Sequence, residues 1–219
     1  MSQSRKTPLP LVVLISGSGS NLQAIIDACA AGRINAEIKA VISNRAEAYG
    51  LERARRAGIP ARVVEHTRYS DRQAFDQALA EQIDRYAPGL VVLAGFMRIL
   101  TDEFVNHYRG RMLNIHPSLL PNFQGLKTHQ RALDAGCTEH GVSVHFVTPE
   151  LDGGPVVCRA VVKIQPGDDA ETLAQRVLEQ EHRIYPEAIG WFAAGRLQLV
   201  GDQAILDGEP VAQMDKTLT

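Results

Sequence analysis

The chain has 219 residues, a mass of 23.9 kDa and a formal charge of −2, from 23 Lys+Arg and 25 Asp+Glu. That length suits one domain with a real core, and 45% hydrophobic with 22% charged residues excludes a disordered, fibrous or disulfide-framework protein. The near-neutral charge offers no global basic field for a nucleic-acid backbone, so an anionic ligand has to be met by local devices.

Residues 1–8 read as a flexible leader. Arg5 and Lys6 precede an apolar stretch, but Pro10 and the turn from Ser16 deny it the core and cleavage site of a signal peptide. Leu9–Ile15 is a branched apolar run of the kind that forms a strand buried on both faces. The turn Ser16-Gly17-Ser18-Gly19-Ser20-Asn21 breaks it. Leu22, Ile25, Ile26 and Cys29 then recur at helical spacing up to Gly32. The pattern next predicts a strand at Ile38–Ile42, a helix at Ala46–Ala57 and a short strand at Ala61–Val64. A helix capped by Ser70 and halted before Pro88 leads to a fourth buried strand at Leu90–Ala94. This alternation implies a parallel sheet with right-handed crossovers.

The second half changes style. A short helix, Asp102–Tyr108, leads to a strand at Met112–His116, an irregular loop from Pro117 to Pro121 and a helix at Thr128–Ala135. Two long strand-like runs, Gly141–Thr148 and Pro155–Ile164, are joined by a short Gly-rich return that suits antiparallel pairing. A long helix starts near Asp169 and is expected to bend at Pro186, and Leu197–Leu206 reads as a small hairpin. Residues 212–219 read as a flexible tail. The fold class expected is α/β: a mostly parallel central sheet flanked by helices, with an antiparallel portion in the C-terminal half, as a single domain over 9–211. Cys29, Cys137 and Cys158 are too scattered for a redox pair, zinc ribbon or disulfide scaffold and read as small core residues in a reducing cytosol. No apolar run approaches the ~20 residues of a membrane span.

Three stretches carry chemistry. Gly17–Asn21 follows a strand and opens a helix, where free N–H groups and the helix dipole favour phosphate. A dinucleotide fingerprint would need glycine where Leu22 stands and an acidic residue where Ser43 and Asn44 stand; no Walker lysine follows, and no GxSxG elbow occurs. A plain tight turn and a mononucleotide phosphate cradle both remain open. Asn114 and His116, two apart on a strand, project from the same face at the carboxyl end where open α/β sheets bind ligands. They are either satisfied core polar groups or an amide donor and a titrating imidazole aimed at one substrate. Asp152 stands in a Gly-rich turn and is a bland turn residue in isolation. The seven histidines show no HExxH or other metal spacing, and no serine or cysteine stands beside a base. Acid–base and oxyanion chemistry with no metal and no covalent intermediate is the economical reading.

Ile15–Gln23, Leu93–Leu100, Asn114–Pro121 and Gly141–Val147 through Asp152–Pro155 resemble the folate-dependent phosphoribosylglycinamide formyltransferases of purine synthesis. The likeness runs from about residue 9 to 195. Asn-x-His plus Asp marks the wider formyltransferase superfamily; the Gly-Ser-Gly-Ser-Asn loop is more specific. The segment Gln124-Gly125-Leu126-Lys127 departs from many relatives. The resemblance implies a Rossmann-like formyltransferase fold, 10-formyltetrahydrofolate as co-substrate and glycinamide ribonucleotide as acceptor, without metal, nucleic acid or membrane. It implies a cytoplasmic monomer or homodimer. It assigns Asn114, His116 and Asp152 to catalysis. Gly19, Ser20 and Asn21 fall to the ribonucleotide phosphate, and Glu181 to its amine. Arg72, Met97, Arg98, Ile99, Leu100 and Asn114 fall to the folate. Formyltetrahydrofolate hydrolases share this core but usually carry an N-terminal regulatory domain, and only residues 1–8 precede the first strand here. Methionyl-tRNA formyltransferases add a basic C-terminal domain. A non-catalytic nucleotide-binding domain would have no use for a convergence of Asn114, His116 and Asp152.

Overall fold

The computed structural model describes residues 7–211, so residues 1–6 of the expected leader and the tail over 212–219 lie outside the described residues. Strands β1 (Leu9–Ile15), β2 (Ala36–Ser43), β3 (Ala61–Val63), β4 (Leu90–Leu93), β5 (Met112–His116), β6 (Glu139–Phe146) and β7 (Val156–Lys163) form one seven-stranded sheet. Its order is β3-β2-β1-β4-β5-β6-β7. β1 to β5 pair in parallel, whereas β6 pairs antiparallel with both β5 and β7. Helices α1 (Ser20–Ala30), α2 (Gly50–Arg56), α3 (Arg72–Asp84), α4 (Asp102–His107), α5 (Thr128–Asp134) and α6 (Ala170–Ala193) flank it. The expected C-terminal hairpin is β8 (Leu197–Val200) and β9 (Gln203–Leu206), extended by a short third strand, β10 (Glu209–Pro210).

β1 shows why the apolar runs need no polar alternation. Leu11, Val13 and Ile15 pack into a core shared with α1, α2 and α6, while Val12 and Leu14 pack into a second core under α3 and α4. With period two and a helix layer on each face, every position from Leu11 to Ile15 is buried. The order of the sheet turns back between β1 and β4, and the loops leaving the carboxyl ends of β1, β4 and β5 meet there. That switch point is where an open α/β sheet forms a ligand crevice.

Several expected boundaries move for local reasons. Asp71, not Ser70, caps α3: its Oδ1 accepts the Ala74 N–H at 2.8 Å, and the Ser70 hydroxyl donates to Asp71 Oδ2 at 3.0 Å. The cap has to stand directly before the first helical residue, and the carboxylate is the stronger acceptor. α2 begins at Gly50 rather than Ala46, because the chain ahead of it walls the β1–α1 turn. The Gly50 N–H donates to Gly17 O at 3.0 Å, and a Cβ on Gly19 (φ +71°) would stand 2.6 Å from Gly50 Cα. α6 continues through Pro186 to Ala193. Pro186 removes one helical donor, but Ile184, Tyr185, Ala188 and Ile189 are buried around it and hold the helix to the sheet. Of the cysteines only Cys158 is buried; Cys29 and Cys137 are half-buried. Among the described residues no helix is long and apolar enough to cross a membrane.

Candidate active site

The loop after β1 leaves the start of α1 open to the cleft. Gly19 takes a left-handed backbone, and the Gln23 N–H donates to its carbonyl at 2.9 Å. The N–H groups of Ser20, Asn21 and Leu22 at the start of α1 therefore lack an acceptor inside the helix. Arg53 braces the turn from behind, its Nε donating to Ser18 O at 2.8 Å and its Nη1 to Gln23 Oε1 at 3.3 Å. A cleft of about 450 Å³ opens over Gly17–Asn21, with Arg45 at its side and Gly95 and Met97 opposite. Sequence reasoning missed Arg45. Its place is set by Ser43 Oγ, which accepts the Arg45 N–H at 3.0 Å and donates to Arg45 O at 2.8 Å.

Asn21 and Glu181, assigned to different parts of one substrate, touch each other: Asn21 Nδ2 donates to Glu181 Oε2 at 2.6 Å. Both are buried, at 8% and 9% exposure. Burial raises the Glu181 pKa, and the bond from Asn21 partly opposes it. One turn further along α6, the Tyr185 hydroxyl lies 2.8 Å from Leu93 O and 3.0 Å from Leu113 O. That contact fixes α6 beneath β4 and β5 and thereby sets the height of Glu181 at the cleft.

On β5 the period-two expectation leads to a side-chain cluster. Asn114 pairs across the ladder with His145 and His116 with Ser143. His145 Nδ1 donates to Phe146 O at 2.9 Å, which leaves Nε2 as an acceptor for Asn114 Nδ2 at 3.1 Å. Burial pushes the His145 imidazole down to about 4, so this neutral tautomer persists at neutral pH. The amide of Asn114 is thus oriented with one N–H spent on His145 and the other free. Ser143 Oγ donates to Ser118 O at 2.7 Å and accepts the Leu120 N–H at 3.0 Å, pinning the loop that follows His116.

Asp152 occupies a turn, and the turn aims it. Its φ is +50°, a left-handed conformation that Asp tolerates better than most residues. A Cβ on Gly154 would stand 1.9 Å from Phe146 O, so only glycine lets the turn close against β6. The carboxylate faces His116, with Oδ2 3.4 Å from Nδ1, and both side chains are nearly buried. Oδ2 also accepts the Gly125 N–H at 2.9 Å, and Gln124 Nε2 donates to Asp152 O at 3.3 Å. The divergent Gln124–Lys127 segment therefore bears directly on Asp152. His116 Nε2 donates to Phe123 O at 3.0 Å. One ring nitrogen is thus held by a carbonyl while the other faces the Asp152 carboxylate.

A second pocket, about 100 Å³, is lined by Arg98, Ile99, Leu100, Asn114, His145 and Asp152, among others. His116 lies directly behind Asp152. Met97, 60% exposed, lines the larger cleft rather than this pocket. Arg72 does not line it either; its charge bears on Asp76 of α3, as does that of Arg98.

Behind the site, buried His140 lies 3.2 Å from His129, and burial pushes it down to about 4. Between its ordinary 6.5 and about 4 the unfolded chain takes up a proton that the folded chain refuses, so stability falls as pH drops through that window. In denaturant titrations His140→Gln is expected to flatten that fall relative to the parent chain; parallel slopes would refute a neutral buried His140.

A family model described as Formyl transferase matches residues 9–189. Phosphoribosylglycinamide formyltransferase of Escherichia coli (strain K12) is 57% identical over 199 residues, covering 91% of this chain and 94% of that protein. The enzyme of the same name from Haemophilus influenzae is 51% identical over the same shares. Among solved structures, the phosphoribosylglycinamide formyltransferase from Coxiella burnetii aligns with a TM-score of 0.89 at 59% identity. The alignment covers 93% of this chain and 95% of that one.

Proposed function

The chain belongs to the formyl transferase family, and from that premise we propose how its residues carry the reaction. It transfers the formyl group of 10-formyltetrahydrofolate to the amine of glycinamide ribonucleotide, a step of purine synthesis. The amine nitrogen attacks the formyl carbon, and the carbonyl electrons move to oxygen. Collapse of the tetrahedral adduct then expels N10, which gains a proton while the new amide nitrogen loses one.

The free N–H of Asn114 donates to the oxyanion as charge develops there, in a site that needs no reorganisation. His116, held between Phe123 O and Asp152, relays the proton that N10 requires, and Asp152 orients the ring. The observation that carries this reading is the convergence of Asn114, His116 and Asp152 at the carboxyl end of β5, with the carboxylate 3.4 Å from the imidazole. The helix-start N–H groups of Ser20 and Asn21, with the turn at Gly19, hold the phosphate. Glu181, buried beside Asn21, receives the substrate amine. Its pKa, raised by burial, suits a group that takes a proton from the attacking amine. Arg98, Ile99 and Leu100 line the folate head pocket, while exposed Met97 and Arg72 serve the more distal parts of that co-substrate. All these groups come from one chain, so a monomer suffices for catalysis. The free cysteines suit a reducing cytoplasm.

Kinetics with each substrate varied test the reading. Turnover of the formyl-folate should require the ribonucleotide, since the amine and not water is the acceptor. Asn21→Asp places a second carboxylate against Glu181 and the phosphate. It should raise KM for the ribonucleotide at least about tenfold, the equivalent of 1.4 kcal/mol, and leave KM for folate nearly unchanged. Equal rises in both KM values would remove Asn21 from the phosphate site.

A further inference from the structure

Residues 96–101, after β4, have no regular secondary structure, yet Arg98, Ile99 and Leu100 of this segment form a wall of the folate pocket. A segment without ladder bonds keeps its shape only if its backbone polar groups find partners elsewhere. Two of its N–H groups are taken by buried side chains from other elements. The Met97 N–H donates to Ser16 Oγ at 2.8 Å, and the Thr101 N–H donates to Asp76 Oδ2 at 2.6 Å. Ser16 is 5% exposed and Asp76 2%.

The two anchors reach different places. Ser16 is the first residue of the phosphate loop, and its own N–H donates to Gly95 O at 3.1 Å. Because Oγ accepts from Met97, its single proton goes to Asn44 Oδ1 at 2.7 Å, and the backbone carbonyl of Asn44 is held by His66 Nδ1 at 3.0 Å. A buried polar chain therefore ties the loop on the ribonucleotide side to the segment on the folate side. Asp76 sits on α3, away from the phosphate loop. Among the described residues its Oδ1 has no hydrogen-bond partner, and neither has Arg98 Nε, although the Arg98 guanidinium lies 4.7 Å over the Phe75 ring. A buried carboxylate with one oxygen unpaired weakens the fold rather than strengthening it. Its use is to be sought in the segment it holds.

We propose that Ser16 and Asp76 are positioning residues of the 96–101 segment, Asp76 shaping the folate pocket and Ser16 setting the spacing between the two bound substrates. The proposal rests on the transferase reading above. It separates the two residues kinetically. Asp76→Ala frees Thr101 and loosens the pocket wall. It should raise KM for 10-formyltetrahydrofolate about tenfold, the scale of one lost bond to a charged group, and leave KM for the ribonucleotide unchanged. Ser16→Ala lets each substrate bind its own subsite while the amine and formyl carbon are less well aligned. It should lower kcat by about 10- to 100-fold with both KM values within a few-fold, since small misplacements of reacting groups have effects of that size.

The experiment is steady-state kinetics on the full chain, with titration by tetrahydrofolate as the direct measure of folate binding. Asp76→Asn and Ser16→Thr keep the acceptor atom and should restore near-parent values, a rescue that a purely volumetric role does not predict. Asp76→Leu fills the volume without accepting a bond and stands in if the alanine variant fails to fold. A parent chain without ribonucleotide-dependent transfer would overturn the transferase reading itself. With the parent chain active, three results would overturn the positioning roles: both KM values rising together in Asp76→Ala or Asp76→Leu, kcat unchanged in Ser16→Ala, or no rescue by Asn and Thr.

Discussion

Asp152→Asn is expected to lower kcat/KM by about 10²–10⁴, the range for loss of a positioned acid–base partner. The substitution is nearly isosteric, and asparagine accepts the left-handed backbone at position 152, where φ is +50°. The bond from the Gly125 N–H to the side chain can persist through the amide oxygen. What disappears is the negative charge 3.4 Å from His116 Nδ1. Steady-state kinetics of both proteins, with circular dichroism to check the fold, read the effect. A folded Asp152→Asn variant with near-parent kcat/KM would reduce Asp152 to a turn residue.

Asn114→Ala should lower kcat by about 10²–10³, the usual loss on removing one oxyanion donor. The amide is oriented for that role by His145 Nε2, which takes one of its hydrogens at 3.1 Å and leaves the other for the substrate. Asn114 is only half-buried, so truncation leaves the core of β5 intact. Substrate binding should change far less than turnover, because the interaction strengthens only as charge develops on oxygen. A folded Asn114→Ala variant with near-parent kcat would reduce Asn114 to a packing residue.

The parallel half of the sheet is legible in the sequence because its strands are buried on both faces, and branched apolar runs such as Leu9–Ile15 have few other uses. Asn114 and His116 are legible for a related reason: two polar groups on one face of an apolar strand ask for partners. Asp152 is half-legible. The Gly-rich turn announces the turn geometry, but only the antiparallel return of β6 and β7 aims the carboxylate at His116. His145 carries no local signal at all. It orients Asn114 because it sits opposite in the β5–β6 register, and that register depends on the loop before β6. The Asn21–Glu181 bond joins positions 160 apart, which no spacing argument reaches. Ser16 and Asp76 were hidden for the same reason, since each is recognisable only by the backbone N–H it holds in a distant segment. Asp71 displaced Ser70 as a cap because two adjacent residues of similar capping preference differ only in their distance from the first helical turn.

The central claim is direct transfer from N10 to the substrate amine at the end of β5. Following an isotopically labelled formyl group from 10-formyltetrahydrofolate tests it most directly. All of the label should appear in the formylated ribonucleotide, one equivalent per tetrahydrofolate released, with no turnover when the ribonucleotide is withheld. Label recovered as free formate, at a rate indifferent to the ribonucleotide, would contradict the account.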